Sequence, residues 1–453
     1  MNKKNVILIS LDEVRPDHLS CYGYNKIRTV NTDKVAEEGV LFETCISSSD
    51  FTPVAMGSVI TSKYPNKHGM RDAYSFLNGP TIAEILKDNG YITAGFVGNG
   101  LLAERHGFRE GFDYWNETSK ETSWLEVVYP ENEDKELIYE GNYWVDDFFR
   151  WLEENYRTPF FMWGHLYETH EGAEKSLLKK GLIKEGVHSE FGYQDAKIEM
   201  ADEKLVGRLI DTLKKLKIYE NTIMVLMSDH GTNTGEHPVK PIPWRKGNVL
   251  YPQHTTMYDH DLKVFLIMRG EGLPAGKRIG GIARSIDVVP TILDLLGISR
   301  EKLDFDGETL IDGIKEGTVG ERDVYSEDVF ESRGLGALQS FRTADYKFIR
   351  NLTLGKEEYY NIRNDPNEQN NIIDQIDEDT LIKIRKKLNS FLFTVPPQKT
   401  KTFSDEEKEL GEKRKEGEVK KAKIDLEYYL LVWLSVTSAA YFHGRKNPVE
   451  KKF

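Results

Sequence analysis

Uninterrupted apolar runs, each the length of one strand and each followed by polar side chains, constrain the fold of this chain most. The first is Asn5 to Leu11, which stops at Asp12 and Glu13. Because apolar and polar residues do not alternate in it, we expect a parallel strand buried on both faces. Similar runs lie at Tyr91 to Gly98, Pro159 to Gly164, Thr222 to Met227 and Val264 to Met268. Helical patterns separate the runs, so the sequence predicts an α/β domain around a mostly parallel sheet.

Four of these runs end in side chains that can bind a metal ion or an anion. Those that follow the runs are Asp12, Asn99, the segment from His165 to His170, and Asp229 with His230. In open α/β sheets, ligands bind just beyond the carboxyl ends of the strands. One acidic residue at a strand end means little, but four such ends meeting at one edge of a sheet would make a site.

The segment from Asp50 to Met70 places the hydroxyl of Thr52 directly ahead of Pro53, at the predicted start of a helix. This arrangement fits an N-cap followed by proline at the first helical position. A helix N-terminus also attracts anions, because its free N–H groups and its dipole favour negative charge. Thr52 is therefore either a helix cap or a nucleophile held beside an anionic ester.

Composition limits the possible partners and the compartment. The net charge of −13 over 453 residues argues against a nucleic-acid surface, while a local basic pocket for a small anionic substrate is allowed. The only cysteines, Cys21 and Cys45, are too few for a disulfide framework, and the first apolar run is too short for a signal peptide. We therefore expect a cytoplasmic protein. The apolar stretch Tyr428 to Phe442 is shorter than a membrane span, so a packed helix is favoured over a membrane anchor.

The dipeptide of Asp229 and His230 offers one hard oxygen and one imidazole at the end of a buried run. With Asp12 and the Thr52 hydroxyl, it forms a plausible ligand set for a divalent cation such as Mn, Zn, Ca or Mg. Without such partners the dipeptide would be only structural. A bound cation would lower the pKa of the threonine hydroxyl and so explain the use of a weak nucleophile. Glu13 is a further carboxylate candidate, either as a ligand or as an acceptor behind the ligands.

Three more side chains are catalytic candidates. Asn99 offers an amide donor to a substrate oxygen, or else it caps the turn that follows. His170 and His254 lie in predicted loops, where they would bind the transferred group, ligate a second metal ion or protonate the leaving oxygen. The alternative is that both are solvated bystanders. Candidates of lower weight in the same loops are Lys63, His68, Glu236 and His237.

Five segments in a fixed order resemble the sulfatase branch of the alkaline phosphatase superfamily. They read VILISLDEVRPDHLSCYGY, TPVAMGSVITSKYPNKHG, MSDHG, SIDVVPTILDLLGI and YYNIRNDPNEQNNI. The resemblance implies an alkaline-phosphatase-like α/β/α sandwich with a smaller C-terminal α+β subdomain. It also implies a metal-dependent esterase in which Asp12, Asp229 and His230 match metal-ligand positions. We expect a catalytic domain over residues 1–320, the subdomain over 321–395, and a charged linker with an apolar helical tail over 396–453.

The sequence departs from the sulfatase pattern at the nucleophile. Sulfatases carry Cys or Ser in a C-x-P-x-R motif, whose first residue is oxidised to formylglycine, whereas this chain has Thr52 there and Met56 in place of the arginine. Threonine cannot become that aldehyde. Asn99 stands where sulfatases have a lysine, and a threonine with an asparagine is similar to the nucleotide pyrophosphatase/phosphodiesterase and phosphonate-hydrolase members of the superfamily.

The favoured interpretation is a hydrolase of phosphate mono- or diesters that forms a covalent phosphothreonine on Thr52. One alternative is a hydrolase of sulfuric or phosphonate esters, because all these esters present a tetrahedral anion to one metal site. The other is a metal-binding protein without turnover. The missing arginine at Met56 favours that last alternative, and the complete set of ligand positions argues against it.

Overall fold

The computed structural model describes residues 3–73, 75–117, 144–170, 177–178, 181–184, 194–237, 254–329 and 336–392. The predicted tail, residues 396–453 with its apolar stretch, lies outside the described residues. Among those described, no helix has the length and apolar character needed to cross a membrane. The α-helices are α1 Val30–Glu37, α2 Thr52–Thr61, α3 Pro65–His68, α4 Ile82–Asp88, α5 Val145–Asn155, α6 Gln194–Ala201, α7 Arg208–Lys215, α8 Asp259–Leu262, α9 Val288–Leu296, α10 Ile311–Glu316 and α11 Glu378–Leu392.

The central sheet of the described chain has the strand order β4–β3–β5–β1–β6–β7–β2–β8, with β9 paired to β2. These strands are β1 Asn5–Leu11, β2 Val40–Ile46, β3 Ile92–Val97, β4 Tyr114–Glu117, β5 Phe160–Leu166, β6 Thr222–Ser228, β7 Lys263–Arg269, β8 Lys277–Ile279 and β9 Ala283–Arg284. Strand β1 pairs in parallel with β5 and β6, and β3 pairs in parallel with β4 and β5. Only β7 among these described strands runs antiparallel to its neighbours β6 and β2. The predicted mostly parallel sheet is confirmed.

Both faces of the sheet are covered, as the continuous apolar runs require. Val6 and Leu8 of β1 point into a cluster that includes residues of α2, α4 and α9, whereas Ile7 and Ile9 point into a second cluster with α1, α5 and α7. Every residue of β1, β5 and β6 is buried. The predicted α/β/α sandwich is therefore the observed architecture.

A second, antiparallel sheet follows in the order β10–β11–β12–β13, and α11 packs on it. Its strands are β10 Val324–Asp328, β11 Leu338–Arg342, β12 Tyr346–Asn351 and β13 Lys356–Asn361. This is the predicted small α+β element. The division of the chain near residue 320 stays a prediction.

Strand β10 braces the segment that leads into α2. The Glu327 N–H donates to the Ser48 carbonyl at 2.9 Å, and the Ser326 hydroxyl donates to the Ser47 carbonyl at 2.6 Å. The Arg71 guanidinium binds the buried Glu327 carboxylate through two hydrogen bonds of 2.6 Å. Such a bidentate, partly buried pair fixes orientation as well as distance. The C-terminal sheet thus positions the chain a few residues ahead of Thr52.

Candidate active site

The register of the central sheet aligns the carboxyl ends of β1, β3, β5 and β6. Leu11, the last residue of β1, pairs with Leu166 of β5 on one side and with Ser228 of β6 on the other. Val97 of β3 pairs with His165. The polar residues that follow or end these strands therefore gather at one edge of the sheet, as the sequence predicts for a ligand site.

The first group at this edge, which we call the inner cluster, consists of Asp12, His165 and Asp229. Each side chain is completely buried and offers one ligand atom, and these atoms lie within 4.8 Å of one another. Nε2 of His165 is 3.3 Å from Oδ2 of Asp12. Among the described residues, Oδ1 of Asp12 and Oδ2 of Asp229 have no hydrogen-bond partner. Two buried carboxylates with unsatisfied oxygens and an imidazole form a donor set that fits a divalent cation.

The electrostatics of the inner cluster agree with this fit. Burial raises the pKa of the Asp12 carboxyl well above its ordinary value, and the nearby charge of Asp229 raises it further. Burial also lowers the pKa of His165, which keeps the imidazole neutral and able to act as a ligand. A cation placed between the carboxylates would stabilise their charged forms.

His230 connects the inner cluster to Thr52. Its Nδ1 lies 2.9 Å from the Gly231 carbonyl, and because a carbonyl only accepts, Nδ1 carries the proton and Nε2 keeps its lone pair. That Nε2 is 3.2 Å from Oγ1 of Thr52, 3.7 Å from Oδ1 of Asp12 and 3.5 Å from Oδ2 of Asp229. The lone pair can accept the threonine proton, and it also suits the ligand role that the sequence predicts for His230.

The prediction that Thr52 caps its helix is wrong. Phe51 is the N-cap residue, with φ −125° and ψ 119° and no side-chain cap, and Thr52 is the first residue of α2. The Ala55 N–H donates to the Phe51 carbonyl at 2.9 Å, so the helix is anchored one residue earlier than predicted. The Thr52 hydroxyl has therefore no capping role and faces His230. The side chain is 2% exposed.

Asn99 has the capping role that the sequence offered and a second contact that it did not predict. Its Oδ1 accepts the Leu101 N–H at 3.0 Å and caps the short turn that follows β3. Its Nδ2 donates to Oδ2 of Asp12 at 3.1 Å. The amide thus orients the Asp12 carboxylate, as groups behind a metal ligand commonly do. A direct contact between Asn99 and substrate stays a prediction.

The second group, which we call the outer cluster, consists of Glu13, His170 and His254. Oε1 of Glu13 lies 3.1 Å from Nε2 of His254 and 3.4 Å from Nε2 of His170. Glu13 has φ 60°, a left-handed conformation that is strained for a residue with a side chain. This conformation lets its N–H donate to Asp229 at 3.2 Å, while its carboxylate joins the two histidines. The Glu13 carboxylate thus groups with His170 and His254, and its role as a ligand with Asp12 stays a prediction.

Sequence reasoning did not assign roles to three residues that lie in or beside the two clusters. His165 belongs to the inner cluster, and its position at the end of an apolar run was the available signal. Ser10 Oγ lies 2.9 Å from Nδ1 of His165 and orients that ring. Lys197 is 1% exposed and donates to the His170 carbonyl at 2.9 Å. Nothing in the local pattern around Lys197 distinguishes it from other helical lysines.

The four candidates of lower weight contact residues outside both clusters. Their partners are Asp304 for Lys63, Ser58 for His68, Arg15 for Glu236, and His260 for His237.

Comparisons with known proteins agree with this architecture. The family model described as Sulfatase matches residues 4–298, and one described as N-sulphoglucosamine sulphohydrolase, C-terminal, matches residues 248–394. An ulvan-active sulfatase of Formosa agariphila is 26% identical over 433 residues, covering 85% of this chain and 81% of the relative. An N-acetylglucosamine-6-O-sulfatase of Bacteroides thetaiotaomicron is 24% identical over 481 residues, covering 82% of each.

Solved structures show the same fold. A protein in complex with its substrate D-glucosamine-2-N,6-O-disulfate has a TM-score of 0.65 at 20% identity, covering 86% of this chain and 97% of its own. The phosphonate monoester hydrolase of Agrobacterium radiobacter has a TM-score of 0.63 at 19% identity, covering 86% of this chain and 95% of its own. The first family model alone matches well over half of the chain. The chain therefore belongs to the sulfatase family of the alkaline phosphatase superfamily, whose members are hydrolases that act on ester bonds.

Proposed function

We propose that this protein hydrolyses sulfuric esters of small molecules and that the Thr52 hydroxyl is its nucleophile. The observation that carries the proposal is the buried hydroxyl, 3.2 Å from Nε2 of His230 and next to the inner cluster. The named relatives are sulfatases, and one structural neighbour was solved with a disulfated sugar, which supports the sulfuric-ester alternative over the phosphate esters that the sequence favoured.

The inner cluster fits the divalent ion that enzymes of this family use. Asp12, His165 and Asp229 would hold it, with Asn99 orienting Asp12. When bound there, the ion would lower the pKa of the Thr52 hydroxyl and offset the charge of the ester oxygens.

The chain's own residues account for the bond changes. Nε2 of His230 accepts the Thr52 proton as Oγ1 forms a bond to the sulfur atom. The bond between sulfur and the alcohol oxygen breaks, and that oxygen takes a proton from a water molecule, which becomes hydroxide. Hydroxide then attacks the sulfur of the threonine ester, hydrogen sulfate leaves, and Oγ1 regains its proton from Nε2 of His230. A base whose tautomer is fixed by the Gly231 carbonyl suits the first of these steps.

A second candidate, hydrolysis of phosphonate or phosphate esters, rests on one specific observation. Thr52 occupies the position of the modifiable cysteine, so a sulfatase mechanism that depends on the aldehyde is closed to this chain. Esters of phosphorus present the same tetrahedral anion to Thr52, and one structural neighbour is a phosphonate monoester hydrolase.

Substrate preference tests the proposal. The full chain is assayed with 4-nitrophenyl sulfate, 4-nitrophenyl phosphate, bis(4-nitrophenyl) phosphate and a phenylphosphonate ester, each with Mn, Zn, Mg or Ca. We expect the sulfate to be hydrolysed fastest. Faster hydrolysis of the phosphonate or of a phosphate would favour the second candidate over the proposal. If no ester is hydrolysed, the alternative of a metal-binding protein without turnover is favoured.

The nucleophile is tested separately with matched substitutions in one helix. Thr52→Ala removes the attacking oxygen, so we expect turnover to fall by about 10³-fold or more. Thr61→Ala is the control, because that hydroxyl, at the other end of α2, donates only to the Gly57 carbonyl at 2.7 Å. Near-normal turnover of Thr52→Ala would rule out the covalent mechanism.

A further inference from the structure

Lys197 is a buried lysine beside the site, and the proposed reaction does not use it. It lies in the first turn of α6 and is 1% exposed. Its ammonium donates to the His170 carbonyl at 2.9 Å. Lysine is rarely buried this completely, because the ammonium loses its hydration and a carbonyl dipole offsets only part of that loss. Anionic groups nearby are therefore needed to stabilise this charge.

The carboxylates of the two clusters provide such anionic groups. Those of Asp12, Glu13 and Asp229 are at most 1% exposed. Burial raises the pKa of the Asp12 carboxyl, and the positive charge of Lys197 acts in the opposite direction, so this charge reaches the inner cluster. The ammonium therefore offsets part of the negative charge that the buried carboxylates bring to the site.

The first turn of α6 contacts the backbone on both sides of the outer cluster. Nε2 of Gln194 donates to the Glu13 carbonyl at 3.4 Å, and Nζ of Lys197 donates to the His170 carbonyl. Glu13 has φ 60°, a strained conformation that persists only where surrounding contacts hold it. The Glu13 carboxylate and the His170 imidazole thus owe their positions in part to this turn.

Asp195 anchors the same turn to the segment that follows β1. Its Oδ1 lies 3.1 Å from Nδ1 of His18, and its Oδ2 accepts the Tyr24 hydroxyl at 2.8 Å. The rings of His18 and Tyr24 stack with centroids 4.9 Å apart. Because α6 is fixed in this way, the ammonium of Lys197 is held at one place relative to the carboxylates of the site.

The charge of an ester decides how strongly this ammonium affects its binding. Buried carboxylates repel an anion, and the repulsion grows in proportion to the charge of the anion. A fixed ammonium opposes this repulsion without having to reorganise when the anion binds. Its effect on the binding free energy of a dianion is therefore about twice its effect on a monoanion.

We propose that Lys197 is a positioning and specificity-determining residue, whose ammonium, held on the His170 carbonyl, offsets the carboxylates of the site and so sets how much negative charge a bound ester can carry. This inference deepens the proposed function and rests on it. The ammonium is buried behind the groups that face the ester and acts on the ester through its charge.

Three substitutions separate the charge of Lys197 from its hydrogen bond. Lys197→Met keeps the length of the side chain and removes both, Lys197→Gln keeps a donor for the His170 carbonyl without the charge, and Lys197→Arg keeps both. The probes are methyl sulfate, a monoanion, and inorganic sulfate, a dianion with the same tetrahedral group. Titration calorimetry of the full chain measures their dissociation constants at pH 8 in one buffer with a fixed concentration of one divalent ion.

The expected losses grow with the charge of the probe. In Lys197→Met and Lys197→Gln, the dissociation constant should rise by about 10-fold for methyl sulfate and about 100-fold for sulfate. Lys197→Arg should keep the ratio of the two constants near that of the unaltered chain. An unchanged ratio in Lys197→Gln would overturn the proposal, because only the hydrogen bond would then matter.

Lys204→Gln is the matched control in the helical segment that follows α6. Lys204 is 46% exposed at its side chain and pairs with Glu203 at 2.6 Å. Its loss should leave both dissociation constants unchanged. A shift as large as that of Lys197→Gln would overturn the proposal, because any positive charge on this helix would then have the same effect.

A double substitution tests the charge even if the single variants of Lys197 do not fold, which thermal melting shows. Glu13→Gln alone removes a negative charge and should favour sulfate over methyl sulfate. Glu13→Gln combined with Lys197→Gln removes one charge of each sign, so the ratio should return to that of the unaltered chain. A ratio equal to that of Glu13→Gln alone would show that the charge of Lys197 has no effect, and would overturn the proposal.

Turnover of the preferred ester separates this inference from the proposed function. Hydrolysis of 4-nitrophenyl sulfate with an unchanged ratio in Lys197→Gln leaves the proposed function standing and overturns the role of Lys197. If phosphorus esters are hydrolysed faster, the proposed function fails, whereas the shifted ratio still supports Lys197. If neither anion binds to the unaltered chain, both are contradicted.

Discussion

The inner and outer clusters differ in how the fold builds them. Asp12, His165 and Asp229 sit at or just after the ends of β1, β5 and β6, and the register of the sheet sets their separation. The outer cluster draws on Glu13 in a strained turn and on two loop histidines. The inner cluster is therefore held by strands that are buried along their whole length, whereas the outer one depends on segments that meet only in the tertiary structure.

This difference has a consequence for specificity. A ligand set fixed by strand register changes little between relatives that share the sheet, whereas loops tolerate changes in length and composition. We infer that the inner cluster supports the chemistry common to the family. The outer cluster, which is built partly from loops, is then the part of the site where we expect differences between relatives to affect the preferred ester.

The largest expected difference between the two clusters is the effect of a substitution on turnover. Asp229→Asn removes a charged donor next to the nucleophile, and because a bound ion supplies several kcal/mol of transition-state stabilisation, we expect a fall of at least about 10³-fold. Glu13→Gln keeps the shape of its side chain and removes a charge outside the inner cluster, so we expect a fall of about 10-fold to 100-fold. Steady-state kinetics with the preferred ester measure both. Equal losses of turnover in the two variants would contradict the view that the inner cluster contributes more to catalysis than the outer cluster.

The substitution Gly231→Ala tests how tightly the backbone next to His230 is packed. A Cβ on this residue would lie 2.1 Å from the His260 carbonyl oxygen, too close for the backbone to stay in place. We expect Gly231→Ala to lower the free energy of unfolding by about 3 kcal/mol and to displace the neighbouring His230. Gly280→Ala is the control, since its Cβ would meet nothing nearer than 3.6 Å. Chemical denaturation compares the two, and equal stability would contradict the steric argument.

The pH dependence of stability has a source outside both clusters. Burial, helped by the charge of Arg71, lowers the pKa of His68 to about 3. The neutral ring accepts the Met70 N–H at 3.1 Å and contacts the Ser58 hydroxyl at 2.8 Å. The unfolded chain binds a proton below about pH 6.5 while the folded chain does not, so stability is lost as the pH falls through that value.

The size of this effect follows from the same shift. Between pH 6.5 and pH 5, His68 alone should reduce the free energy of unfolding by about 2 kcal/mol. His68→Gln should flatten that slope, as measured by urea denaturation of the metal-free protein at several pH values. An unchanged slope would contradict the role of His68 and would assign the loss of stability in acid to other titratable groups.

The central sheet could be predicted from the sequence, because continuous apolar runs of this length are typical of strands buried on both faces. The predicted Asn5 to Leu11 run is strand β1 residue for residue. The convergence of Asp12, Asn99 and Asp229 followed from the rule that ligands bind at strand ends. These inferences needed only local pattern and the geometry of parallel sheets.

The remaining features depend on backbone conformations and distant contacts that local patterns do not encode. Helix α2 begins one residue earlier than predicted, because Phe51 in its extended conformation is the N-cap residue and Thr52 is already helical. The left-handed conformation of Glu13 turned its carboxylate toward the histidines. The position of Lys197 beside His170 comes from the packing of α6 against the site, and no motif marks it.

The brace between strand β10 and the segment before α2 affects the order in which the protein can mature during synthesis. The hydrogen bond from Ser326 to the Ser47 carbonyl spans 279 residues. A ribosome that adds about 5–20 residues per second needs roughly 15–60 s to make that length of chain. Throughout this time the nascent polypeptide contains Thr52 but lacks the strand that braces the segment ahead of it, so this segment can make its observed contacts only after the C-terminal sheet has emerged.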